Sequence, residues 1–209
     1  RFYMSNITQI AESMRYVFEK VARHAGETTG FIERERKFDG ATFAQTLVFS
    51  WLGNPVATLD EMSQMASVLN VEVTRQGLNK RFTPEAADLM YEVLKAAAKQ
   101  TISAEQAEFK ILAPFNGVYI LDSSVVQLPD ALLEVWEGSG GGRKGQQNAG
   151  VKLSVCWDWQ TGELQGPDLH DARSHDQSAP VAALQLPEGS LQIADLGYFN
   201  LGRFQQLDQ

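Results

Sequence analysis

The sequence predicts an α + α/β protein, with a helical region over residues 1–112 and a sheet-forming region over 113–209. Three observations carry this: apolar residues three and four apart in the first half, a period of two from Val151, and a composition shift near 111–116. Through Lys110 there are 13 basic and 14 acidic residues, and beyond it 5 against 12, so the halves carry charges near −1 and −7. A chain of 209 residues that is 44% apolar can bury a core without staples, and the single cysteine, Cys156, excludes an internal disulfide framework. No apolar run is long enough to span a bilayer, and no signal peptide is read. Arg1 in place of Met points to a true N-terminus upstream. A net charge of −8 argues against a wholly basic nucleic-acid coat.

Ile7, Ile10, Met14, Val17, Phe18 and Val21 form one apolar stripe on a helix that ends by Gly26 or Gly30. Phe43, Leu47, Val48 and Trp51 mark a second helix, closed by Gly53-Asn54-Pro55. Thr58-Leu59-Asp60-Glu61 is a capping box, and Leu59, Met62, Met65, Ala66 and Leu69 are the stripe of the helix it opens. After a break at Asn70 to Val73, Thr74 caps a basic segment from Arg75 to Arg81. Thr83-Pro84 opens the last helix, through Ala86, Met90, Val93 and Ala97, with proline where a missing amide costs nothing.

Two short helices joined by a tight turn, the second with Arg75, Lys80 and Arg81, have the shape of a helix-turn-helix, and a small bundle with a solvated basic face has the same pattern. Arg34, Arg36 and Lys37 are further candidate phosphate contacts, interleaved with Glu33 and Glu35 as a solvated loop would be. Arg143 and Lys144 follow the glycine-rich patch Gly138 to Gly142 and could touch a DNA backbone.

In the second half, Gly117 to Leu121 is an apolar run of strand formers ending at Asp122. Val151, Leu153, Val155 and Trp157 alternate with Lys152, Ser154, Cys156 and Asp158, the signature of a half-buried strand. Thr161-Gly162 is a turn, with Glu163-Leu164-Gln165 as the returning strand. Asp176 to Leu184 reads as a short helix, and Leu191 to Ala194 as a strand ending at Asp195. His170, Asp171, His175 and Asp176 match no closed zinc spacing and read as a solvated loop. Trp136, Trp157 and Trp159 read as packing residues.

Aspartates at the C-terminal ends of two neighbouring strands, which lie about 4.8 Å apart, can share a divalent cation. Hard oxygen ligands suit Mg²⁺ or Mn²⁺, and a pair of such ions about 4 Å apart activates water and stabilises the leaving oxygen in phosphodiester displacement. Turn formation and helix capping are the commoner uses of such aspartates.

The residues Tyr119-Ile120-Leu121-Asp122-Ser123-Ser124, Leu128-Pro129-Asp130, Gly138 to Gly142, Val151-Lys152-Leu153 and Leu191 to Phe199 together resemble bacterial insertion-sequence transposases of the DDE class, the insertion sequence 4 family in particular. Ala194-Asp195-Leu196-Gly197-Tyr198-Phe199 is the most specific piece. Gly30 to Arg34, the helix from Phe43 to Trp51 and the Arg75 to Phe82 segment are similar to the family's N-terminal region.

The resemblance implies a helical DNA-binding region followed by a partial ribonuclease-H-like mixed sheet, with Asp122 and Asp195 as the first two catalytic, metal-binding carboxylates. It implies a two-metal Mg²⁺ or Mn²⁺ site and cut-and-paste transposition, in which a transposon end is hydrolysed and its 3′ hydroxyl attacks target DNA. The implied partners are transposon-end and target DNA and, on DNA, a second copy of the chain as a homodimer. No membrane is involved, and the implied location is the bacterial cytoplasm at the nucleoid. The family's third acid, a Glu in a Tyr, Arg, Glu, Lys signature on a later helix, does not occur in this sequence. Asp208 is too close to Asp195 to replace it. The expectation is a chain truncated before that acid, through loss of a segment or of part of the gene, or one completed by another segment. The alternative is a catalytically inactive remnant that only binds DNA.

Overall fold

Four of the helices of the first half start where polar side chains satisfy the unpaired amides of a first turn. The computed structural model describes residues 3–32, 37–102, 109–138 and 148–202, and the chain divides into two compact units, 1–100 and 101–209. In the first, α1 (Tyr3–Arg15) continues through a π-helical turn, Tyr16–Val21, into α2 (Ala22–Thr28). The predicted stripe does not stay on one face. Val17, Ala22 and Ala25 are buried, whereas Ile10 and Met14 are exposed, because the wider turn at 16–21 breaks the 3.6-residue period between them.

Helix α3 (Gly40–Gly53) begins at a capping box: Asp39 Oδ1 accepts from the Thr42 amide at 2.7 Å, and Thr42 Oγ1 accepts from the Asp39 amide at 3.2 Å. Its first turn meets α2 backbone to backbone. A Cβ at Gly40 would overlap the Ala22 carbonyl and stand 3.0 Å from Gly26 Cα, so only glycine permits this approach. Phe43 is fully enclosed, its ring 4.6 Å from Phe31, 5.8 Å from Phe38 and 6.2 Å from Phe82. Trp51, predicted on the same face, is 60% exposed; the buried face of α3 is Ala41, Phe43, Ala44, Thr46 and Ser50.

Helix α4 (Leu59–Val68) starts at the predicted Thr58–Glu61 box. Thr74 Oγ1 accepts from the Gly77 amide at 3.1 Å and caps α5 (Arg75–Asn79), and Thr83 precedes α6 (Pro84–Ile102). Val71, Leu78, Leu89 and Val93 close the core around Phe43.

The α4 cap makes a pH prediction. The Thr58 amide, 2.7 Å from Glu61 Oε2, followed by the Thr58 hydroxyl and the Asn54 amide, holds the Glu61 carboxyl below the ordinary glutamate range. A depressed carboxyl contributes stability in full above its unfolded pKa and loses it as pH falls through the folded one. In acid titrations followed by circular dichroism, Glu61→Gln is expected to lack this component, giving a shallower decline of stability below about pH 4.3. Curves of equal slope would remove the carboxylate from the cap.

The second unit is a four-stranded mixed sheet in the order β3-β2-β1-β4. Strands β1 (Val118–Gln127), β2 (Gly150–Asp158) and β3 (Leu164–Asp171) pair antiparallel in succession, and β4 (Leu191–Ala194) lies parallel to β1. Three expectations change. Strand β1 does not end at Asp122 but runs five residues past it, because β2 supplies an unbroken antiparallel partner from Tyr119 to Gln127. The returning strand extends to Asp171, so Asp168, His170 and Asp171 lie in β3 rather than in a solvated loop. The helix expected at Asp176 to Leu184 is two 3₁₀ turns, Asp176–Ser178 and Pro180–Ala183, since Pro180 has no amide with which to continue the first.

The alternation in β2 has the predicted period with the opposite sense of burial. Lys152, Ser154 and Cys156 are buried, and Val151, Leu153, Val155 and Trp157 are half-buried. The reason is what covers each face: Ala179, Val181 and Ala182 of the 3₁₀ segment, with Tyr198, pack on the side that holds Tyr119, Leu121 and Cys156. Among the described residues, no helix is long and apolar enough to cross a membrane.

Candidate active site

Asp122 is held by a strand anchored on both sides. Tyr119 and Leu121 are buried ahead of it, and Asp122 itself pairs with Val155 of β2. Its side chain is exposed, and Oδ1 accepts from the Ser123 amide at 2.8 Å. Asp195 directly follows β4 in extended backbone, is also exposed, and caps the turn Leu196–Tyr198 by accepting from the Gly197 amide at 2.8 Å.

The parallel register brings the two together. Its Cα partners are Val118 with Leu191, Tyr119 with Gln192, Ile120 with Ile193 and Leu121 with Ala194. Asp122 is the next residue on β1, and Asp195 directly follows β4 in extended backbone. With period-two alternation Asp122 belongs to the face of Ile120. Two strands spaced about 4.8 Å apart thus deliver two carboxylates at one level of the sheet, although 72 residues separate them in sequence.

Behind this edge, on the covered face, lies a second polar group that sequence reasoning missed. Lys152 Nζ donates to Asp176 Oδ1 at 2.9 Å and to the Ser174 carbonyl at 2.7 Å. Ser123 Oγ donates to the same Asp176 oxygen at 2.9 Å. Burial by itself would raise the Asp176 carboxyl, but hydrogen bonds from Lys152 and Ser123, and the lysine charge, pull it below the ordinary aspartate range. Tyr198 is pushed up, first by burial and then by the charges of Asp176 and Asp122, which Ser154 and Ser123 partly offset. Ser154 Oγ and His170 Nε2 are 2.8 Å apart, and Asp168 Oδ2 accepts from the Val181 amide at 2.8 Å. Lys152, Ser123 and Asp168 tie the sheet to its cover, and Ser154 with His170 joins β2 to β3. The available signal was Lys152 in line with the small residues Ser154 and Cys156, which leave room for a long side chain on that face.

Asp122 and Asp195 offer hard oxygen donors, the kind that Mg²⁺ or Mn²⁺ takes. In number they are incomplete: among the described residues, no group of three or more His, Cys, Asp or Glu side chains is gathered to hold a metal ion.

Of the predicted DNA contacts, Arg75, at the start of α5, is exposed and 3.7 Å from Asp60 Oδ2. Lys80 is exposed just past the helix, Arg81 stands over the Phe31 ring at 5.6 Å, and Lys37 is exposed ahead of α3. The predicted second helix of the helix-turn-helix is only five residues long, so Lys80 and Arg81 lie beyond it. Arg34, Arg36, Arg143, Lys144 and Asp208 lie outside the described residues.

A helical region followed by a mixed sheet with acids at adjacent strand positions is consistent with a ribonuclease-H-like catalytic domain, and residues 113–209 match the family described as "Transposase DDE domain". Residues 113–209 are therefore similar to the DDE transposase family, and the insertion sequence 4 branch is consistent with that. It is similar to the transposase for insertion sequence element IS231B of Bacillus thuringiensis subsp. berliner, 28% identical over 96% of this chain and 44% of that protein. The transposase for IS231E of Bacillus thuringiensis subsp. finitimus is 30% identical over 86% of this chain and 37% of its own length. That for IS1151 of Clostridium perfringens is 25% identical over 86% and 38%. The chain spans about two-fifths of the length of the curated relatives it matches. No solved structure matches.

Proposed function

We propose that this chain forms the DNA-binding region and the first part of the catalytic domain of an insertion-sequence transposase that acts by cut-and-paste transposition. The observation that carries this reading is the β1–β4 register, which leaves Asp122 and Asp195 side by side where their parallel pairing stops. The relatives' description as transposases supports it. In this reading Asp122 and Asp195 hold divalent cations, Mg²⁺ or Mn²⁺, in a two-metal site with a third acid outside the described residues. When bound, such cations activate water and stabilise the oxygen that leaves the scissile phosphate. The protein's own work is placement. The Ser123 and Gly197 amides each fix one oxygen of a carboxylate, so neither side chain must reorganise when charge develops at the phosphate.

The helical unit binds transposon ends, with Arg75, Lys80 and Arg81 meeting phosphates alongside Lys37, Arg34 and Arg36, and Arg143 and Lys144 touching the backbone from the sheet region. Two copies pair the two ends, and the work is done at the nucleoid in the bacterial cytoplasm. Arg75→Ala and Lys80→Ala are each expected to weaken binding to end-containing DNA uniformly across sequences and to lower the salt slope by about 1. Titrations at several salt concentrations measure this, and an unchanged slope would remove that side chain from the interface.

The test of the function is Mg²⁺-dependent cleavage of end-containing DNA by a full-length protein that includes this chain. Cleavage at the transposon end supports the enzyme. Retarded DNA in a gel without cleavage identifies the catalytically inactive DNA-binding remnant instead, and absence of both overturns the transposase reading.

A further inference from the structure

The buried ion pair behind the two aspartates has a geometry that packing alone does not call for. Lys152 is only 8% exposed, and its ammonium meets Asp176 Oδ1 at 2.9 Å. Taking the lysine charge, and most of its partner, out of water is costly, and an apolar pair of similar volume is often as stable or more so. The position of the pair supplies another reason for it. The Asp176 oxygen that meets Lys152 also accepts from Ser123 Oγ, on the residue after Asp122. On its other side Asp176 packs against Gly197, two residues after Asp195. A Cβ there would overlap the Asp176 carboxylate and stand 3.0 Å from Asp195 Oδ1. One carboxylate thus touches the strand that carries Asp122 and the turn that Asp195 caps, while Lys152 fastens it to β2.

We propose that Lys152 and Asp176 are positioning residues that lock Asp122 and Asp195 at a fixed spacing from the covered face of the sheet, so that the pair is preorganised for a divalent cation. This rests on the reading of Asp122 and Asp195 as metal-holding residues. Ser123 and Asp122 leave β1 on opposite faces, so at β1 the lock acts through the backbone. A side chain at Gly197 would meet the Asp176 carboxylate first, so either that carboxylate or the turn would have to shift. Outer groups that orient metal ligands are worth about 10- to 100-fold in metal affinity, which sets the size of the effect.

The test uses Mn²⁺ as the probe, with bound ion measured by electron paramagnetic resonance on the intact protein and thermal unfolding recorded in parallel. Wild-type protein is expected to bind Mn²⁺, and Asp122→Asn to abolish that binding. The double variant Lys152→Met/Asp176→Leu, which leaves no unpaired buried charge, is expected to keep its Tm and to lose about 10- to 100-fold in Mn²⁺ affinity. Unchanged affinity at unchanged Tm would overturn the positioning role and leave the aspartate site standing. Wild-type Mn²⁺ binding that is absent, or indifferent to Asp122→Asn, would overturn the site itself and the lock with it. If the double variant does not fold, Ser123→Ala decides: weaker Mn²⁺ binding at unchanged Tm supports the lock, and equal binding overturns it.

Discussion

Asp195→Asn in a full-length protein that includes this chain is expected to lower Mg²⁺-dependent strand cleavage at least about 10³-fold while leaving DNA binding nearly unchanged. Asparagine is chosen because it preserves the local structure. Its side-chain oxygen can still accept from the Gly197 amide, which Asp195 does at 2.8 Å, so the turn at 196–198 keeps its cap. What disappears is one negative charge at the end of the parallel ladder. Asp122→Asn makes the same argument on the neighbouring strand, where the Ser123 amide bond survives and the charge does not. In the proposed site both carboxylates hold the same cations, so the double variant is expected to be no worse than either single one, a non-additivity that marks residues acting as a unit. A nicking assay on end-containing DNA, with gel retardation as the binding control, measures both. Cleavage retained by either variant would remove that aspartate from the reaction.

Phe43→Ala carries the largest expected cost in stability, about 3–5 kcal/mol. The ring is fully enclosed between Phe31, Phe38 and Phe82, and Leu78 and Leu89 belong to the same core. Removing it takes away the transfer free energy of a phenyl group and leaves a cavity that α2 cannot collapse to fill, since its backbone already touches α3 at Gly26 and Gly40. A domain of ordinary stability, roughly 5–15 kcal/mol, would lose much of its margin. Trp51→Ala, eight residues along the same helix but 60% exposed, is expected to change stability by less than about 0.5 kcal/mol. Urea titrations of both variants measure the contrast. A Phe43→Ala midpoint equal to that of the wild type would show that this cluster does not carry the helical core.

The contrast between Phe43 and Trp51 also shows how far a pattern can be read. Helix starts were legible because caps are local chemistry: Thr58, Thr74 and Thr83 each announce a first turn within three residues. Asp122 and Asp195 were legible as acids beside apolar runs. Their neighbourhood was expected from the order of elements and the resemblance, and the register itself was not legible, because it is a long-range property with no mark in either segment alone. The lysine and aspartate behind them were missed for a related reason. Lys152 sits at what reads as a solvent position in an alternating strand, and Asp176 at what reads as a helix start, and nothing local says that they meet.

By itself the sequence determined most of the segments that become helix or strand, where most of them begin, and which two acids follow apolar runs, since periodicity, capping and turn chemistry all act within a few residues. Tertiary structure alone decided which face of β2 is covered. Alternation makes two faces and cannot say which one the chain returns to, and here the segment 176–183 returns to the side of Lys152, Ser154 and Cys156. The buried ammonium of Lys152 is met there by the partly buried Asp176 carboxylate, 24 residues on, which also touches Ser123 of β1 and the turn after β4.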